Sequence, residues 1–508
     1  MAQAFRPPAT QRLYDVCVVG SQLGGAVAGA LLARRGFRVL YVDHDGAGTQ
    51  YEDGGYLLPH APALIPSPRL LPAAEIALNE LGFTTDLGRA LEYSTPGLQL
   101  LYSRHRFDLH ADAGARVAEL RREWPEDADA LEAALGGLAH AFDGASPVLK
   151  ALPPLPPDGF MERRALSKAI SFAQSGPSSA VNLEVDPLRS IANHPLGQAL
   201  DAARNFMTHL GGPPAPFSAL RLTGAIVRGT QRLAGGYDAF RDIVRKRIAD
   251  ARGEMLGVDA AAPAVAERLE VDGWRITAIR LEGSSNAYLA RAFVLATGPA
   301  SVLRLVPEEL HRKVREVAGL RVTRQLLAVN FVVRAGALPP GLGETVVAIG
   351  DGEDAAPVLV QVLPARRDTK KGSAESVSDE RVICAATYVP ESTWDAGGGA
   401  AVSSAADWIR ARLAAFIPFL DQNVVRESIP SLAASPERRR NSRALHPVYA
   451  SELDTHLGVT GIPARALKNL VFAGREVVPG LGVEGEFQAG VQAAAAAQSI
   501  LGKKEFLK

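Results

Sequence analysis

The first hydrophobic pattern in the chain changes period twice within thirty residues. Val16 to Val19 is an unbroken apolar, β-branched run, which predicts a strand buried on both faces. Gly20, Gly24 and Gly25 follow and predict a tight turn. Ala26 to Arg35 carries apolar residues at helical spacing and runs out at Gly36. A second apolar strand, Arg38 to Val42, stops on Asp43. A glycine turn between strand and helix, with an acid about 20 residues on, is the layout of a dinucleotide site. Glycines let the backbone approach a pyrophosphate, and the helix N-terminus offers free N–H groups and a positive dipole end. Asp43, followed by His44, is placed to accept hydrogen bonds from a ribose. The turn reads Gly20, Gln22, Gly25, so Gln22 stands where the usual pattern has its middle glycine. A plain βαβ unit without a ligand is the competing reading.

Further patterns predict the rest of the chain. Residues 46–65 are turn-rich and hold Gly54-Gly55. Residues 66–92 read as helical, and Leu98 to Leu109 alternates like paired strands turning at Arg104-His105. Residues 113–143 read as two helices broken near Trp124-Pro125. The prolines of 146–165 forbid a regular helix there. Arg163 to Ala173 is basic at its start and apolar on one side. A helix packed on its own domain is the commoner meaning of that pattern, and peripheral membrane contact through 146–173 is the other. After Pro213-Pro214-Ala215-Pro216, a helix is predicted at Asp238–Ala251. A hairpin follows around Asp272-Gly273, then a buried strand at Arg291–Ala296 and helical pattern over 300–318. Runs at Gln325–Val333, Ala355–Leu363 and Arg381–Val389 are strand-like, with a charged and mobile stretch expected at Arg366–Glu380. Ala405–Phe416 reads as helical. Leu470–Ala473 predicts a last strand, then a glycine-rich turn to Gly485 and a helix from Glu486 to Leu501.

Composition narrows the class. A chain of 508 residues is too long for one core, so two or more domains are expected. Charged residues are 22% and the formal net charge is zero, so no basic excess exists to neutralise nucleic-acid phosphates. Cys17 and Cys384 lie in apolar runs and read as buried thiols, with no disulfide framework. Neither a signal core nor an apolar run of about 18 residues is present, which predicts a cytoplasmic protein. No His/Cys/Asp cluster has metal-ligand spacing.

Three separated segments carry a resemblance. They are VCVVGSQLGGAVAGALLARRGFRVLYVDHD, the stretch from AGGYDAFRDIVRKRI through AVAERLEVDGWRITAIRL to RAFVLATGP, and NLVFAGREVVPGLGVEGEFQAGVQAAAAAQSI. In order and spacing the chain resembles the FAD-dependent oxidoreductases of the phytoene desaturase and flavin amine oxidase group. The desaturase branch looks most similar, through Gly235-Gly236-Tyr237 and the Pro479–Gly485 turn. The resemblance implies an α/β fold, with a discontinuous Rossmann-type FAD-binding domain (1–110, 220–310 and 455–508) and an α+β substrate domain (111–219 and 311–454). It implies non-covalent FAD. Gly20, Gly25 and Asp43 would hold the pyrophosphate and adenosine ribose, and Val265 or Ala266 would lie by the adenine. Ala296, Thr297 and Gly298 would pass the adenosine side. Gly474 and Arg475 would meet the ribityl–phosphate part, and Gly482 and Val483 would lie under the flavin ring. Arg475 departs from the acid common in the family.

The reaction implied is hydride removal from an apolar, lipid- or polyene-like substrate, which needs little acid–base machinery. His446, Tyr449 and His60 are candidates to face the ring, His446 first, and an ordinary core or surface residue is the competing reading for each. An amine oxidase is the alternative within the fold, weakened by an aromatic content of only 6%. A non-catalytic prenyl- or lipid-binding protein on the same fold is the alternative outside it.

Overall fold

The computed structural model describes residues 13–45, 50–83, 91–93, 96–102, 104–157, 159–174, 185–233, 236–258, 264–350, 356–368, 374–395, 399–433, 447–450, 462 and 465–502. Its first sheet is built on the expected βαβ unit. Leu13–Val19 pairs in parallel with Val39–Val42 on one side and with Ala287–Leu295 on the other. Glu254–Leu256 extends the sheet in parallel beyond Val39–Val42. On the far side the hairpin Ala266–Asp272/Arg275–Leu281 runs antiparallel to the start of Ala287–Leu295, and Leu470–Phe472 runs parallel to its end. Asn469 makes that exchange of partners possible. Its Oδ1 accepts the Ile276 N–H at 3.0 Å, and its Nδ2 donates to the carbonyls of Ile276 (2.7 Å) and Arg291 (3.1 Å). Backbone groups that would be orphaned at the fork are thereby satisfied.

Helix Leu23–Arg34 explains why its sequence shows little polar face. Every residue from Leu23 to Ala33 is buried, because the helix is enclosed by the sheet, by helix Gly236–Asp250 and by helix Gly482–Leu501. Two glycines set that last crossing. A Cβ on Gly24 would fall 2.9 Å from the Glu486 carbonyl oxygen (and 1.9 Å from that of Ala473), and one on Gly490 would fall 2.7 Å from the Gly24 carbonyl oxygen. Neither helix can carry a side chain at the contact.

Among the described residues the second sheet has ten strands. Its path runs Val424–Ser428, Arg321–Arg334, Ala374–Pro390, Val358–Asp368, Thr345–Ile349, Leu98–Tyr102 and His105–Leu109. Pro447–Ala450 pairs with the start of Arg321–Arg334. Helix Gly399–Ala414 covers the sheet with Val402, Ala406, Ile409 and Leu413. Among the described residues no helix is long and apolar enough to cross a membrane.

Four expectations change. The turn-rich 46–65 stretch contains a hairpin, Gln50–Asp53 with Tyr56–Pro59, turning at Gly54 and Gly55. Both glycines have positive φ (+61° and +82°), which is why the stretch reads as turn. Arg366–Glu380 is not a break between strands, because Ala365, Arg366 and Arg367 pair with Val377, Ser376 and Glu375. Only its centre, 369–373, lies outside the described residues. The second helix of 113–143 continues through Pro147 to Lys150, since Val148 and Leu149 are fully buried and their packing outweighs the proline. The 300–318 pattern is three short helical pieces, Pro299–Leu305, Glu308–Lys313 and Arg315–Ala318, interrupted at Pro307.

Candidate functional site

The site lies where the first sheet, the glycine turn and the C-terminal turn meet. Gly20 has φ +123°, and a Cβ there would sit 2.0 Å from the Ala296 carbonyl oxygen. That oxygen accepts the Gln22 N–H at 3.2 Å, so the turn and the end of strand Ala287–Leu295 are tied together. A Cβ on Gly25 would meet the Ala296 side chain at 2.4 Å. The glycines are therefore demanded by packing before any ligand is considered. Gln22, the N-cap residue of helix Leu23–Arg34, turns its side chain toward the C-terminal segment, where Oε1 accepts the Arg475 N–H at 2.8 Å.

Asp43 ends its strand as expected and is 3% exposed. Its carboxylate accepts from Ser21 Oγ and from Arg245 Nη1, the latter at 2.5 Å. His44 Nδ1 accepts the backbone N–H of Ala266 at 2.9 Å. Burial first, and then the Arg304 guanidinium, hold this imidazole below its ordinary pKa. Val265 uses its carbonyl to accept the Glu282 N–H. Asp45 joins the same network, accepting from Thr297 Oγ1 at 2.8 Å and from the Ser21 N–H at 2.9 Å. Gly298 caps the short helix Pro299–Leu305.

The C-terminal turn supplies two carboxylates that pattern reasoning did not single out. Glu486, 1% exposed, accepts the Leu23 N–H at 3.1 Å through Oε2. Its Oε1 accepts from Arg475 Nε at 3.1 Å and lies 3.2 Å from His209 Nε2. Burial would raise this carboxyl, and Arg475 with His209 hold it below the ordinary value. Burial lowers His209. Glu476 is fully buried, and among the described residues neither of its carboxylate oxygens has a hydrogen-bond partner beyond its own backbone N–H. Burial, with Glu486 nearby, pushes its pKa up to about 8. Its carboxyl lies over Gly474, where a Cβ would meet Glu476 Oε1 at 2.2 Å and Gln22 Oε1 at 2.3 Å. Gly482 has φ +53°, and a Cβ there would fall 1.8 Å from the Met207 carbonyl oxygen; Val483 is buried beside it.

Tyr449 is not in an irregular segment. It sits in strand Pro447–Ala450, 1% exposed, and its hydroxyl has no hydrogen-bond partner among the described residues. Burial and the Glu476 carboxyl raise its pKa well above the ordinary phenol value. Its backbone is stitched to the His209 carbonyl (2.8 Å) and the Gly211 N–H (2.9 Å). A cavity of about 490 Å³ opens there, lined by Leu210, Pro213, Thr323, Arg324, Tyr449 and Ala450 among others. His60 packs its ring 5.2 Å from that of Tyr51. His446 lies outside the described residues. Arg241 and Arg245, four apart on helix Gly236–Asp250, were not singled out from the sequence; Arg241 donates to the Ser21 carbonyl at 3.0 Å and Arg245 to Asp43. Nothing in the sequence marks His209, which lies in the bend that follows helix Pro195–Asn205, far from any motif.

Residues 18–80 match the NAD(P)-binding Rossmann-like domain family. No curated protein matches the chain in sequence. Solved structures share its fold at low identity. Cyclohexylamine oxidase from Brevibacterium oxydans aligns at 16% identity and TM-score 0.53, over 96% of this chain and all of that one. A cofactor-site variant of putrescine oxidase aligns at 15% and 0.55, over 97% and 99%. An oxidoreductase from Methanosarcina mazei aligns at 13% and 0.53, over 94% and 99%. The chain therefore has the mixed α/β fold on which these oxidoreductases are built.

Proposed function

We propose that this protein is an FAD-dependent oxidoreductase acting on an apolar, lipid- or polyene-like substrate. The observation that carries the reading is the array of Gly20, the N-terminus of helix Leu23–Arg34 and Asp43, joined from the other end of the chain by Glu476. A fully buried carboxyl with no partner beyond its own backbone N–H among the described residues is costly, and its place over Gly474 beside Gln22 suits the hydroxyls of a ribityl chain. These residues fit FAD: Asp43 would take the adenosine ribose, the helix N-terminus the pyrophosphate, Glu476 the ribityl chain. Bound FAD supplies a two-electron acceptor for a hydride from substrate carbon. The chain's own part is to orient that carbon and exclude water, which the buried wall around Tyr449 serves.

The cavity beside Tyr449 is of the size that holds a small molecule. Leu210 and Pro213 suit an apolar group, and Arg324 disfavours an ammonium, which supports the lipid-like substrate over an amine. An absorbance spectrum after adding FAD and removing excess by gel filtration tests the cofactor. Bands near ~450 and ~370 nm are expected, followed by anaerobic bleaching with an apolar polyene. A colourless protein would leave the non-catalytic lipid-binding reading in its place.

Helix Phe160–Gln174 supports peripheral membrane contact. Phe160, Met161 and Phe172 are 77%, 71% and 72% exposed, with Arg163, Arg164 and Lys168 between them. Cations flanking apolar side chains suit an anionic lipid surface. The chain should co-sediment with vesicles containing phosphatidylserine, and a Phe160→Ser/Phe172→Ser variant should lose most of that binding. Equal sedimentation of both would remove the helix from the reading.

A further inference from the structure

The positive end of helix Leu23–Arg34 already holds an anion, and it belongs to the protein. Three donors converge on the Glu486 carboxylate: the Leu23 N–H at 3.1 Å, Arg475 Nε at 3.1 Å and His209 Nε2 at 3.2 Å. A backbone N–H at a helix start, a guanidinium and an imidazole make the donor set that a phosphate oxygen takes. The other dinucleotide contacts follow the same pattern. Arg245 and Ser21 satisfy Asp43, and His44 satisfies the Ala266 N–H.

We propose that Glu486 is a built-in occupant of the pyrophosphate seat, which a dinucleotide must displace to bind. The inference rests on the FAD reading above and adds how that site is controlled. A second observation points to the same seat. Gln22, the cap of the helix, and Glu476, a fully buried carboxyl with no hydrogen-bond partner beyond its own backbone N–H among the described residues, meet over Gly474 beside it. Glu486 stands in the second turn of helix Gly482–Leu501, so its long side chain can leave the seat by rotating while its backbone stays packed on Gly24. A carboxylate and a phosphate cannot share the same three donors, so the internal anion sets a handicap on the external one. Without Glu486 the seat keeps Leu23, Arg475 and His209 and loses only its occupant.

The test is a titration of FAD, followed by flavin fluorescence quenching, into the full chain and into Glu486→Ala and Glu486→Gln. Circular dichroism and the thermal midpoint establish that each variant is folded. Glu486→Gln keeps the shape and an acceptor for the Leu23 N–H, and guards against a folding failure of the alanine variant. Both variants should bind FAD at least tenfold tighter than the wild-type chain, the alanine variant more so. ADP, which brings the same diphosphate, should gain in parallel, whereas adenosine should not. Measurable FAD binding that is equal or weaker in the folded variants overturns the occupant role and leaves the FAD reading intact, with Glu486 a structural clamp. No FAD binding by any of the three chains overturns both.

Discussion

Arg221→Ala should cost about 3–5 kcal/mol of stability, the expected loss when one partner of a buried ion pair is removed. Arg221 is 1% exposed and holds Glu484 through two contacts, Nε to Oε2 at 2.9 Å and Nη2 to Oε1 at 2.8 Å. The same guanidinium donates to the carbonyls of Phe142 (3.0 Å) and Leu70 (3.1 Å) and to Ser146 Oγ (2.9 Å), and it lies 3.9 Å from the centroid of the Phe142 ring. One side chain thus fastens helix Ala128–Lys150 and helix Pro216–Arg228 to the first turn of helix Gly482–Leu501. Truncation leaves Glu484 charged and buried without its arginine, beside a Leu70 carbonyl that loses its donor. Urea unfolding of Arg221→Ala and of Glu484→Ala should show similar lowering of the midpoint. A double variant, Arg221→Met/Glu484→Leu, should recover much of the loss because no buried charge remains. A midpoint unchanged in Arg221→Ala would mean that the pair carries no net stability.

Glu476→Gln should stabilise the flavin-free protein at alkaline pH, by an amount on the order of 4 kcal/mol above pH 8. The folded-state pKa of about 8 stands above the ordinary value of 4.5. Between these values the folded chain holds a proton that the unfolded chain has released. The proton's contribution is complete below the unfolded pKa, so stability falls as pH rises from about 4.5 and is lost through about 8. Glutamine keeps the shape and carries no charge, so the variant lacks this slope. His209, lowered by burial, acts in the opposite sense, favouring the fold as pH rises through the ordinary histidine range, and it is common to both chains. Thermal midpoints of the two proteins should converge near pH 5 and separate progressively toward pH 9. Parallel curves across that range would mean that Glu476 is ionised in the fold.

Three carboxylates illustrate how differently the site was legible. Asp43 was readable because strand, turn, helix and strand are contiguous, and period alone announces them. Glu476 and Glu486 stand next to readable glycines, yet their roles depend on Gln22 and Leu23, more than 450 residues away. Arg475 looked like a departure that removed an acid. In the fold Glu476 lies over Gly474, while Arg475 turns to Glu486.

The sequence by itself determined the first sheet's core. Val16–Val19 and Arg38–Val42 are apolar without alternation, which only a sheet covered on both faces accommodates. It also determined that Gly20, Gly24 and Gly25 are glycines for a reason, and the reason includes carbonyl oxygens of Ala296 and Ala473 that no local pattern could supply. Tertiary structure alone decided the strand continuity through Arg366–Glu380 and the helix through Pro147, since pairing and burial outweigh local propensity there. It alone decided that Asp43, the Ala266 N–H and the Leu23 N–H each meet a side chain of this protein. Local pattern fixes which backbone groups are offered, whereas three-dimensional proximity fixes which charge reaches them.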